Sequence, residues 1–440
     1  MSVLATVADR RRTSASLVGV SLAYFMVLLD TTALAVAGPS LMSTLHTGVV
    51  GVGWATTSYT LALASTLVLG GSLADRFGHH RVFAWGVLGF GAASLACALA
   101  PTLVVLLVFR TLLGLFAAGI VPSSLGLITA LYPEPRARGR AISAWAAISG
   151  AAMAIGPVLG GWLIAVAGWP AVFVVNAPLA LIVLLLCRTR VAIPRRARAL
   201  SWLPHLGLAA TLAAATLAIT QAGQRSWIPA VLSGLLALGL GYATAAADRT
   251  SRAPLIPGAL RGNRAVWTAF GWGAAVNYAL TTVLFALPLL LDTATGVTLL
   301  PMTLLVAVNP LITGRLVAAF GSLRPIRMGL TAFPAGLGLV AVAMADHDRP
   351  LLLGVGLLLC GLGVSWTLPA LVGFAVDHAA AETVGSVGGI LNATRQVGAT
   401  LAAAVAGATL TQHAGASAAF PFVFAAAICA LGLGQALVTR

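Results

Sequence analysis

Residues 71–81 read GSLADRFGHHR, and residues 314–324 read GRLVAAFGSLR. The second stretch begins 243 positions after the first (314 minus 71), and both are flanked by long apolar segments. Five positions are identical in the two copies: Gly71 and Gly314, Leu73 and Leu316, Phe77 and Phe320, Gly78 and Gly321, and Arg81 and Arg324. Such a duplication is typical of membrane transporters that consist of two related halves, with the substrate site where the halves meet.

A weaker pair of segments extends the repeat. Gly114 and Pro122 have counterparts 247 positions later (361 minus 114), at Gly361 and Pro369. The halves differ in charge, because three charged positions of the first half are apolar in the second. Asp75, Arg76 and Arg110 correspond to Ala318, Ala319 and Leu357. The repeat therefore predicts one fold for both halves. It also predicts that any function of these three charged side chains belongs to the first half.

Apolar windows of about 20 residues, long enough to span a bilayer as a helix, follow one another along the chain. There are fourteen, at 16–38, 49–71, 82–100, 102–131, 140–167, 169–187, 203–222, 227–247, 265–291, 296–317, 326–345, 351–375, 387–411 and 416–438. We predict an all-α membrane protein with two six-helix bundles and two inserted linker helices. Its parts are a cytoplasmic N-terminus (1–15), an N-terminal bundle (16–200), the linker helices (201–255) and a C-terminal bundle (256–440).

The composition excludes most soluble classes of protein. Of the 440 residues, 60% are hydrophobic and only 8% are charged, whereas about a quarter are charged in a soluble domain. All 25 basic residues are arginine, and the absence of lysine excludes a Walker-type phosphate loop and Schiff-base chemistry. No histidine or cysteine cluster has metal-ligand spacing, so we expect neither a metal site nor an enzyme.

The arginines predict the orientation in the membrane. If the N-terminus is cytoplasmic, 21 of the 25 arginines fall in cytoplasmic segments, Arg225 and Arg349 fall outside, and Arg110 and Arg395 lie within helices. Because arginine is concentrated on the cytoplasmic side of membrane proteins, we expect both termini to be cytoplasmic. The net charge of +15 is then a consequence of topology, and no nucleic-acid partner is needed to explain it.

Seven motifs follow one another in the order and spacing of a known family. They are LDTTALAVAGP at 29–39, WATTSYTLAL at 54–63, GSLADRFGHHR at 71–81, the set Arg110, Gly114, Gly119 and Pro122, GPVLGG at 156–161, FVVNAP at 173–178 and NATRQVGA at 392–399. On these motifs the chain resembles the major facilitator superfamily, and specifically its fourteen-helix drug:proton antiporter branch. The resemblance covers nearly the whole chain and implies the major facilitator fold.

Asp30 is the acidic residue within the first predicted helix. An aspartate at a helix centre costs about 2.5–3.5 kcal/mol on insertion scales, so it should face the bundle interior. The resemblance implies that Asp30 couples transport to protons and that Arg110, on the fourth predicted helix, assists. A permanent structural pair between these two residues is the alternative.

The loop at 71–81 is, by resemblance, the cytoplasmic gating loop, which latches the outward-facing state in the family. Its functional positions are Gly71, Asp75, Arg76, Gly78 and Arg81. The sequence departs from the family at His79 and His80, where basic residues are usual. Because histidine titrates near neutral pH, the strength of the latch could respond to cytoplasmic pH.

The fifth predicted helix carries small residues in the order that the family associates with antiport. These positions are Gly150, Gly156, Pro157, Gly160 and Gly161. Glycines allow neighbouring helices to approach closely in a membrane, and a proline within a helix removes a hydrogen bond and kinks it. Close packing in any helix bundle is the alternative explanation.

Residues of an aromatic, mildly polar substrate cavity are harder to identify. The candidates are Trp54, Tyr59, Asn176, Trp272, Asn277, Tyr278, Thr281, Asn309 and Trp366. For each of them taken alone, ordinary helix packing is favoured over a substrate contact. Ala35 and Leu113 stand where the branch commonly has asparagine and glutamine, which argues against a substrate closely similar to that of typical members.

These observations predict a secondary active transporter of the cell membrane. We expect it to export drugs or other small hydrophobic or cationic compounds in exchange for protons by alternating access, as a monomer and without a cofactor, since the proton gradient supplies the energy. Its partners are then the small-molecule substrate, protons and the lipid bilayer. Two alternatives remain open: a proton-coupled importer or uniporter of a small metabolite, and a dedicated exporter of an endogenous natural product.

Overall fold

The computed structural model describes residues 2–187, 202–251, 254–291, 295–345, 349–379, 384–410 and 416–438. Within them every regular element is a helix. The first half contains α1 (Ser2–Ala35), α2 (Gly38–Thr44), α3 (Val49–Phe77), α4 (His79–Ala98), α5 (Leu103–Leu131), α6 (Pro135–Ala167), α7 (Pro170–Val174) and α8 (Asn176–Leu186). A hairpin of α9 (Leu203–Gly223) and α10 (Trp227–Thr250) follows. The second half contains α11 (Gly258–Arg261), α12 (Arg264–Leu290), α13 (Thr295–Thr298), α14 (Leu300–Val308), α15 (Pro310–Phe320), α16 (Leu323–Ala345), α17 (Pro350–Asp377), α18 (Val384–Leu410) and α19 (Ala416–Val438).

Each predicted apolar window coincides with one helix or with consecutive shorter helices. Among the described residues, ten helices are long and apolar enough by themselves to cross a membrane, and α6 makes eleven if its two bent parts count as one. Length and composition therefore confirm fewer spans than the fourteen predicted. The arginine-rich stretch at 188–198, which the sequence places in the cytoplasm, lies outside the described residues.

Two windows that the sequence predicts as continuous helices are divided. The window 169–187 breaks between α7 and α8, and the window 296–317 breaks between α14 and α15. Proline explains both breaks, because it has no N–H to donate to the carbonyl four residues earlier. Pro178 leaves the carbonyl of Val174 without this bond, and Pro310 does the same to Val306.

The structure confirms the internal repeat at the backbone level. Gly78 ends α3 with φ of 98°, and its counterpart Gly321 ends α15 with φ of 77°. Both angles belong to a region that side chains other than glycine rarely adopt. The two copies of the loop pattern therefore make the same kind of turn between a pair of helices.

The second pair of repeated glycines also has one structural role. A Cβ atom at Gly114 would collide with the carbonyl oxygen of Tyr59, and a Cβ atom at Gly361 would lie 2.7 Å from the carbonyl oxygen of Met302. In each half, this glycine lets one helix touch the backbone of a neighbour, α5 on α3 and α17 on α14. The duplicated sequence therefore folds into a duplicated packing arrangement.

The two halves meet along the first part of α3 and the last part of α18. The hydroxyl oxygens of Thr60 and Thr400 lie 2.9 Å apart, and a Cβ atom at Gly53 would lie 3.6 Å from the carbonyl oxygen of Ala403. We call the end of the molecule where α3 begins the far end, and the end that carries residues 71–81 the loop end. The contacts between α3 and α18 thus close the far end.

The hairpin of α9 and α10 packs beside this closure. A Cβ atom at Gly223 would lie 2.7 Å from backbone atoms of Ala408 on α18, so α9 lies directly on the second half. Beside this contact, α3, α9 and α18 border a small open cleft whose lining includes Trp54, Thr216 and Ala408. In contrast, α10 exposes large apolar side chains along its outer face, which is the surface expected towards lipid: Leu232, Leu235, Leu238 and Tyr242.

Candidate functional site

Asp30 and Arg110 form a buried ion pair in the first half. Neither has any exposed surface. Among the described residues of this half, no other pair of opposite charges is fully buried. Nη1 of Arg110 donates to Oδ2 of Asp30, and Nε of Arg110 donates to the carbonyl oxygen of Ala55 at 2.9 Å. The guanidinium group also lies over the ring of Tyr59, 4.5 Å from its centre. The two residues that the resemblance associates with each other are therefore in direct contact.

Close packing of α6 against α1 fixes the backbone next to Asp30. The hydroxyl of Thr32 lies 3.2 Å from the carbonyl oxygen of Ala152, which ties α1 to α6 two residues beyond Asp30. A Cβ atom at Gly160 would lie 2.9 Å from Cα of Ala33, and one at Gly156 would overlap Thr32. The two glycines therefore let the backbones of α1 and α6 touch beside the carboxylate.

The arginine is placed by the packing of α5 on α3. Arg110 precedes Gly114 by four residues, as Ala55 precedes Tyr59, and residues four apart share one helix face. Because Gly114 touches the backbone at Tyr59, Arg110 comes to lie against Ala55 one turn earlier. A charge of this kind is costly in a membrane interior unless it is paired. Here Nη1 donates to the carboxylate and Nε to a carbonyl, whereas the buried Nη2 has no hydrogen-bond partner among the described residues.

A third side chain completes the site, and the sequence analysis assigned it elsewhere. Asn176, a predicted substrate-cavity residue, is fully buried, and its Nδ2 lies 3.4 Å from Oδ1 of Asp30. The same nitrogen donates to the hydroxyl of Ser94 at 3.0 Å, and this hydroxyl donates to the carbonyl oxygen of Phe173 at 2.8 Å. Ser94 carried no recognisable signal in the sequence, since a serine in an apolar helix is common.

The loop at 71–81 shows a different kind of chemistry. Asp75 pairs with His79 one turn later, with 3.3 Å between Oδ1 and Nε2. His80 lies 3.0 Å from the carbonyl oxygen of Cys187 at the end of α8. Both histidines that depart from the family pattern therefore have partners, one on an acid and one on a helix end.

The remaining residues of the predicted gating loop differ in their surroundings. Arg76 and Arg81 are exposed, and the guanidinium of Arg76 lies 5.6 Å from the ring centre of Phe77. Gly78 supplies the turn, and a Cβ atom at Gly71 would make only an ordinary contact, 3.6 Å from Pro122. Of the two predicted loop glycines, Gly78 is thus the one whose backbone conformation demands glycine.

Comparison with known proteins identifies the family of this chain. The family model of the Major Facilitator Superfamily matches residues 20–403. The chain belongs to the Major Facilitator Superfamily. It is therefore a multi-pass membrane transporter of small molecules and not an enzyme.

The curated relatives within the superfamily are resistance and export proteins. The chain is 32% identical over 420 residues to the tetracenomycin C resistance and export protein of Streptomyces glaucescens, which covers 92% of this chain and 77% of the relative. It is 31% identical over 427 residues to the methylenomycin A resistance protein of Bacillus subtilis, which covers 93% of this chain and 91% of the relative. The multidrug resistance protein Stp of Mycobacterium tuberculosis is 31% identical and covers 90% of this chain and 75% of the relative.

Solved structures of the superfamily fold agree. An auto-inhibited peptide transporter of the POT family superposes with a TM-score of 0.70 at 19% identity, covering 97% of this chain and 96% of that chain. The xylose transporter XylE from E. coli, in a partially occluded inward-open conformation, superposes with a TM-score of 0.66 at 12% identity, covering 96% and 97%. At these identities the likeness establishes the fold.

The predicted antiporter helix of the superfamily divides into contacting and open positions. Gly156 and Gly160 touch α1, whereas a Cβ atom at Gly150 or Gly161 would meet nothing within 4 Å. The helix bends by 47° between Met153 and Ile155, which agrees with the missing hydrogen bond that Pro157 causes at the carbonyl of Met153. Only part of the motif therefore serves the contact beside Asp30.

The structure places several predicted substrate-cavity residues in helix packing within the second half. The indole N–H of Trp272 donates to the carbonyl oxygen of Gly432 at 3.0 Å, and Nδ2 of Asn277 donates to the carbonyl oxygen of Arg395 at 2.8 Å. Tyr278 lies against Phe424, with 6.0 Å between the ring centres. A substrate contact for these three residues stays a prediction.

The remaining candidates are distributed over several places in the molecule. Tyr59 stacks on Arg110, and Trp54 lines the small open cleft beside α9. Nδ2 of Asn309 donates to the hydroxyl of Ser365 at 2.8 Å. Thr281 and Trp366 are half-buried. The contacts of these candidates therefore lie in different parts of the described structure, and a shared substrate cavity stays a prediction.

Proposed function

We propose that this transporter exports small hydrophobic or cationic compounds, antibiotics among them, in exchange for protons. The observation that carries the proposal is the buried pair of Asp30 and Arg110 in the first half, whose arginine corresponds to Leu357 in the second. The names of the relatives support export, since they are resistance and export proteins for tetracenomycin C and methylenomycin A. The protein then acts as a fourteen-span monomer in the cell membrane, with both termini in the cytoplasm.

The pair can couple proton binding to helix packing on chemical grounds. A proton that binds Asp30 neutralises the carboxylate and weakens its attraction to Arg110. The attraction between Asp30 and Arg110 therefore differs between the protonated and the unprotonated protein. Proton binding can in this way shift the equilibrium between two conformations, and a substrate that prefers one of these conformations is then coupled to the proton. The close contact of α1 with α6 beside Asp30 provides a path by which this change reaches the packing of helices.

Alternating access requires that the ends of the molecule open in turn. The contacts between α3 and α18 close the far end, which is the extracellular end if the loop at 71–81 is cytoplasmic. An end closed in this way excludes substrate from the extracellular side, so in this state substrate would have to enter from the cytoplasm. The proton gradient is sufficient as the energy source, because one charge that crosses 100 mV releases about 2.3 kcal/mol, or about a 50-fold concentration gradient of a neutral substrate.

Drug susceptibility in an efflux-deficient bacterial host tests the proposal. The panel contains cationic dyes and antibiotics of several classes, and it compares the parent protein with Asp30→Asn. We expect the parent to raise the inhibitory concentration of at least one compound and Asp30→Asn, at equal membrane abundance, to abolish the effect. Undiminished resistance in this variant, or higher accumulation of dye in cells that express the parent, would contradict proton-coupled export.

The breadth of the panel separates two forms of the proposal. Protection against several unrelated compounds indicates a multidrug exporter, whereas protection against one antibiotic class indicates a dedicated exporter. Efflux in everted membrane vesicles with a pH-sensitive dye provides the direct measurement. There, addition of a substrate should cause proton movement that the Asp30→Asn variant lacks.

A further inference from the structure

We infer that Asn176 is a positioning residue for Asp30, and that its amide group sets the pH at which this carboxyl group takes up a proton. The inference deepens the proposed function, because a shared proton site gives Asn176 a role in coupling. It rests on a feature of the site that neither the sequence pattern nor the family relationship assigns.

The carboxylate of Asp30 is held on both oxygens from two different helices. Arg110 on α5 donates to Oδ2, and Asn176 on α8 reaches Oδ1 with its Nδ2 at 3.4 Å. All three side chains are fully buried. The second contact is the longer one and involves a neutral donor, so it adjusts the carboxylate without competing with the ion pair for the same oxygen.

The hydrogen bonds around Ser94 determine which way the amide of Asn176 points. The hydroxyl of Ser94 has one proton, and it donates this proton to the carbonyl oxygen of Phe173 at 2.8 Å. Towards Asn176, the hydroxyl can therefore only accept. The NH₂ group of Asn176, and not its carbonyl oxygen, must face Ser94 and with it Asp30.

The break between α7 and α8 places Asn176 in this position. Asn176 is the first residue of α8, and Phe173 lies near the end of α7. Ser94 on α4 thus binds a backbone group before the break and a side chain after it. This connection fixes the break against α4 and leaves Oδ1 of Asn176 as a buried oxygen without a hydrogen-bond partner among the described residues.

A donor that faces a carboxylate favours its charged form. Removal of the amide should therefore let Asp30 bind a proton at a lower proton concentration, that is, at higher pH. The titratable groups near Asp30 are Arg110 on α5, Tyr59 on α3 and Cys97 on α4. The facing positions of α6 are the glycines beside Thr32 and Ala33, and α12 carries no charge beyond its first residue.

Infrared titration of the purified protein measures the protonation of Asp30 directly. The absorption of a protonated carboxyl group is followed against pH, and the spectrum of Asp30→Asn is subtracted to isolate Asp30. We expect Asn176→Leu, which has similar volume and no donor, to move the midpoint upwards by about one pH unit, a tenfold change in proton concentration. Asn176→Gln, which retains an amide, should return the midpoint towards that of the parent.

Asn309 provides a matched control. It is also buried, it also stands at a proline-linked helix break, and its Nδ2 also donates to a serine hydroxyl, Ser365 at 2.8 Å. It belongs to the other half of the molecule, where its amide serves a hydroxyl and not Asp30. Asn309→Leu should therefore leave the midpoint of Asp30 unchanged even if it lowers the melting temperature.

A second variant protects the test against misfolding of Asn176→Leu. Ser94→Ala keeps Asn176 but frees its amide to rotate, and it should raise the midpoint by less than Asn176→Leu does. A midpoint equal to that of the parent in both variants overturns the inference, as does an equal shift in Asn309→Leu. Failure of the parent to transport would instead contradict the proposed function, because the infrared titration does not depend on transport.

Discussion

At the scale of single residues, the pair of Asp30 and Arg110 concentrates the electrostatic cost of the fold. Removal of one member should leave the other buried and unpaired, which costs about 3–5 kcal/mol. We expect Arg110→Met to lower the melting temperature of the purified protein more than any single apolar substitution on the exposed face of α10, such as Leu235→Ala. The measurement is thermal unfolding in detergent.

The double variant provides the control for this prediction. Asp30→Leu combined with Arg110→Met removes both charges, and it should recover most of the stability that Arg110→Met loses, while transport remains absent. If the double variant is as unstable as the sum of the two single variants, the two charges do not depend on each other, and the pair is not the reason for the loss.

The sequence predicts that Asp30 faces the bundle interior, because a charged residue in an apolar helix is costly, and the family resemblance associates it with Arg110. The sequence does not predict Asn176 beside Asp30, since an asparagine in a helix can face a substrate, a backbone group or another side chain. What decides between these is the break before α8, together with Ser94. Both depend on the tertiary packing of α4 against α7 and α8, for which the local sequence gives no signal.

At the scale of helices, the glycines of α6 have separate roles that a substitution can distinguish. An alanine at Gly160 would place Cβ 2.9 Å from Cα of Ala33, a backbone atom that cannot yield without movement of α1. We expect Gly160→Ala to destabilise the protein by about 1–3 kcal/mol and to impair transport. Melting temperature and dye efflux at equal expression measure the two effects.

Gly161→Ala is the adjacent control, because its Cβ would meet nothing within 4 Å. It should retain transport and gain up to about 1 kcal/mol, the usual advantage of alanine over glycine within a helix. Equal loss of transport in both variants would mean that α6 needs glycine for a change of shape, and not for its contact with α1.

The repeated loop glycines yield a prediction for both halves at once. Gly78 and Gly321 have φ of 98° and 77°, and forcing another residue into such a conformation costs about 1–3 kcal/mol. Gly78→Ala and Gly321→Ala should therefore lower the melting temperature by similar amounts. Only Gly78→Ala should alter transport beyond this loss, because the charged positions Asp75 and Arg76 of the first copy are alanine, Ala318 and Ala319, in the second.

One outcome of comparing these two variants would contradict the prediction. If Gly321→Ala leaves the melting temperature unchanged while Gly78→Ala lowers it, the two turns are not equivalent. The repeat would then be a likeness of sequence without a shared backbone requirement.

Helix positions were predictable because long apolar windows have few other solutions in a membrane. Their continuity was not, since a proline breaks some helices and only bends others. Pro122 and Pro369 lie within the unbroken helices α5 and α17, whereas Pro310 begins a new helix. Neighbouring helices decide whether the freed carbonyl finds a partner, and this information is absent from the local sequence.

At the scale of the whole molecule, the sequence predicts two similar halves and two additional helices but not how these meet. The contact of α9 with α18 at Gly223 and Ala408 depends on small residues, which are frequent throughout the chain. The closure between α3 and α18 depends in the same way on residues such as Gly53 and Ala403. Alanine and glycine are so common here that their positions alone cannot identify an interface.

The far-end closure offers the most direct test of alternating access. The hydroxyl oxygens of Thr60 and Thr400 lie 2.9 Å apart across the two halves, so cysteines at these two positions should form a disulfide on mild oxidation. Because export requires the far end to open, the linked protein should lose nearly all transport, and a reducing agent should restore it. The native cysteines described here are buried, and the variants Thr60→Cys and Thr400→Cys alone control for oxidation elsewhere. Full transport by the linked protein would show that the halves do not separate at this contact, and that substrate leaves by another route.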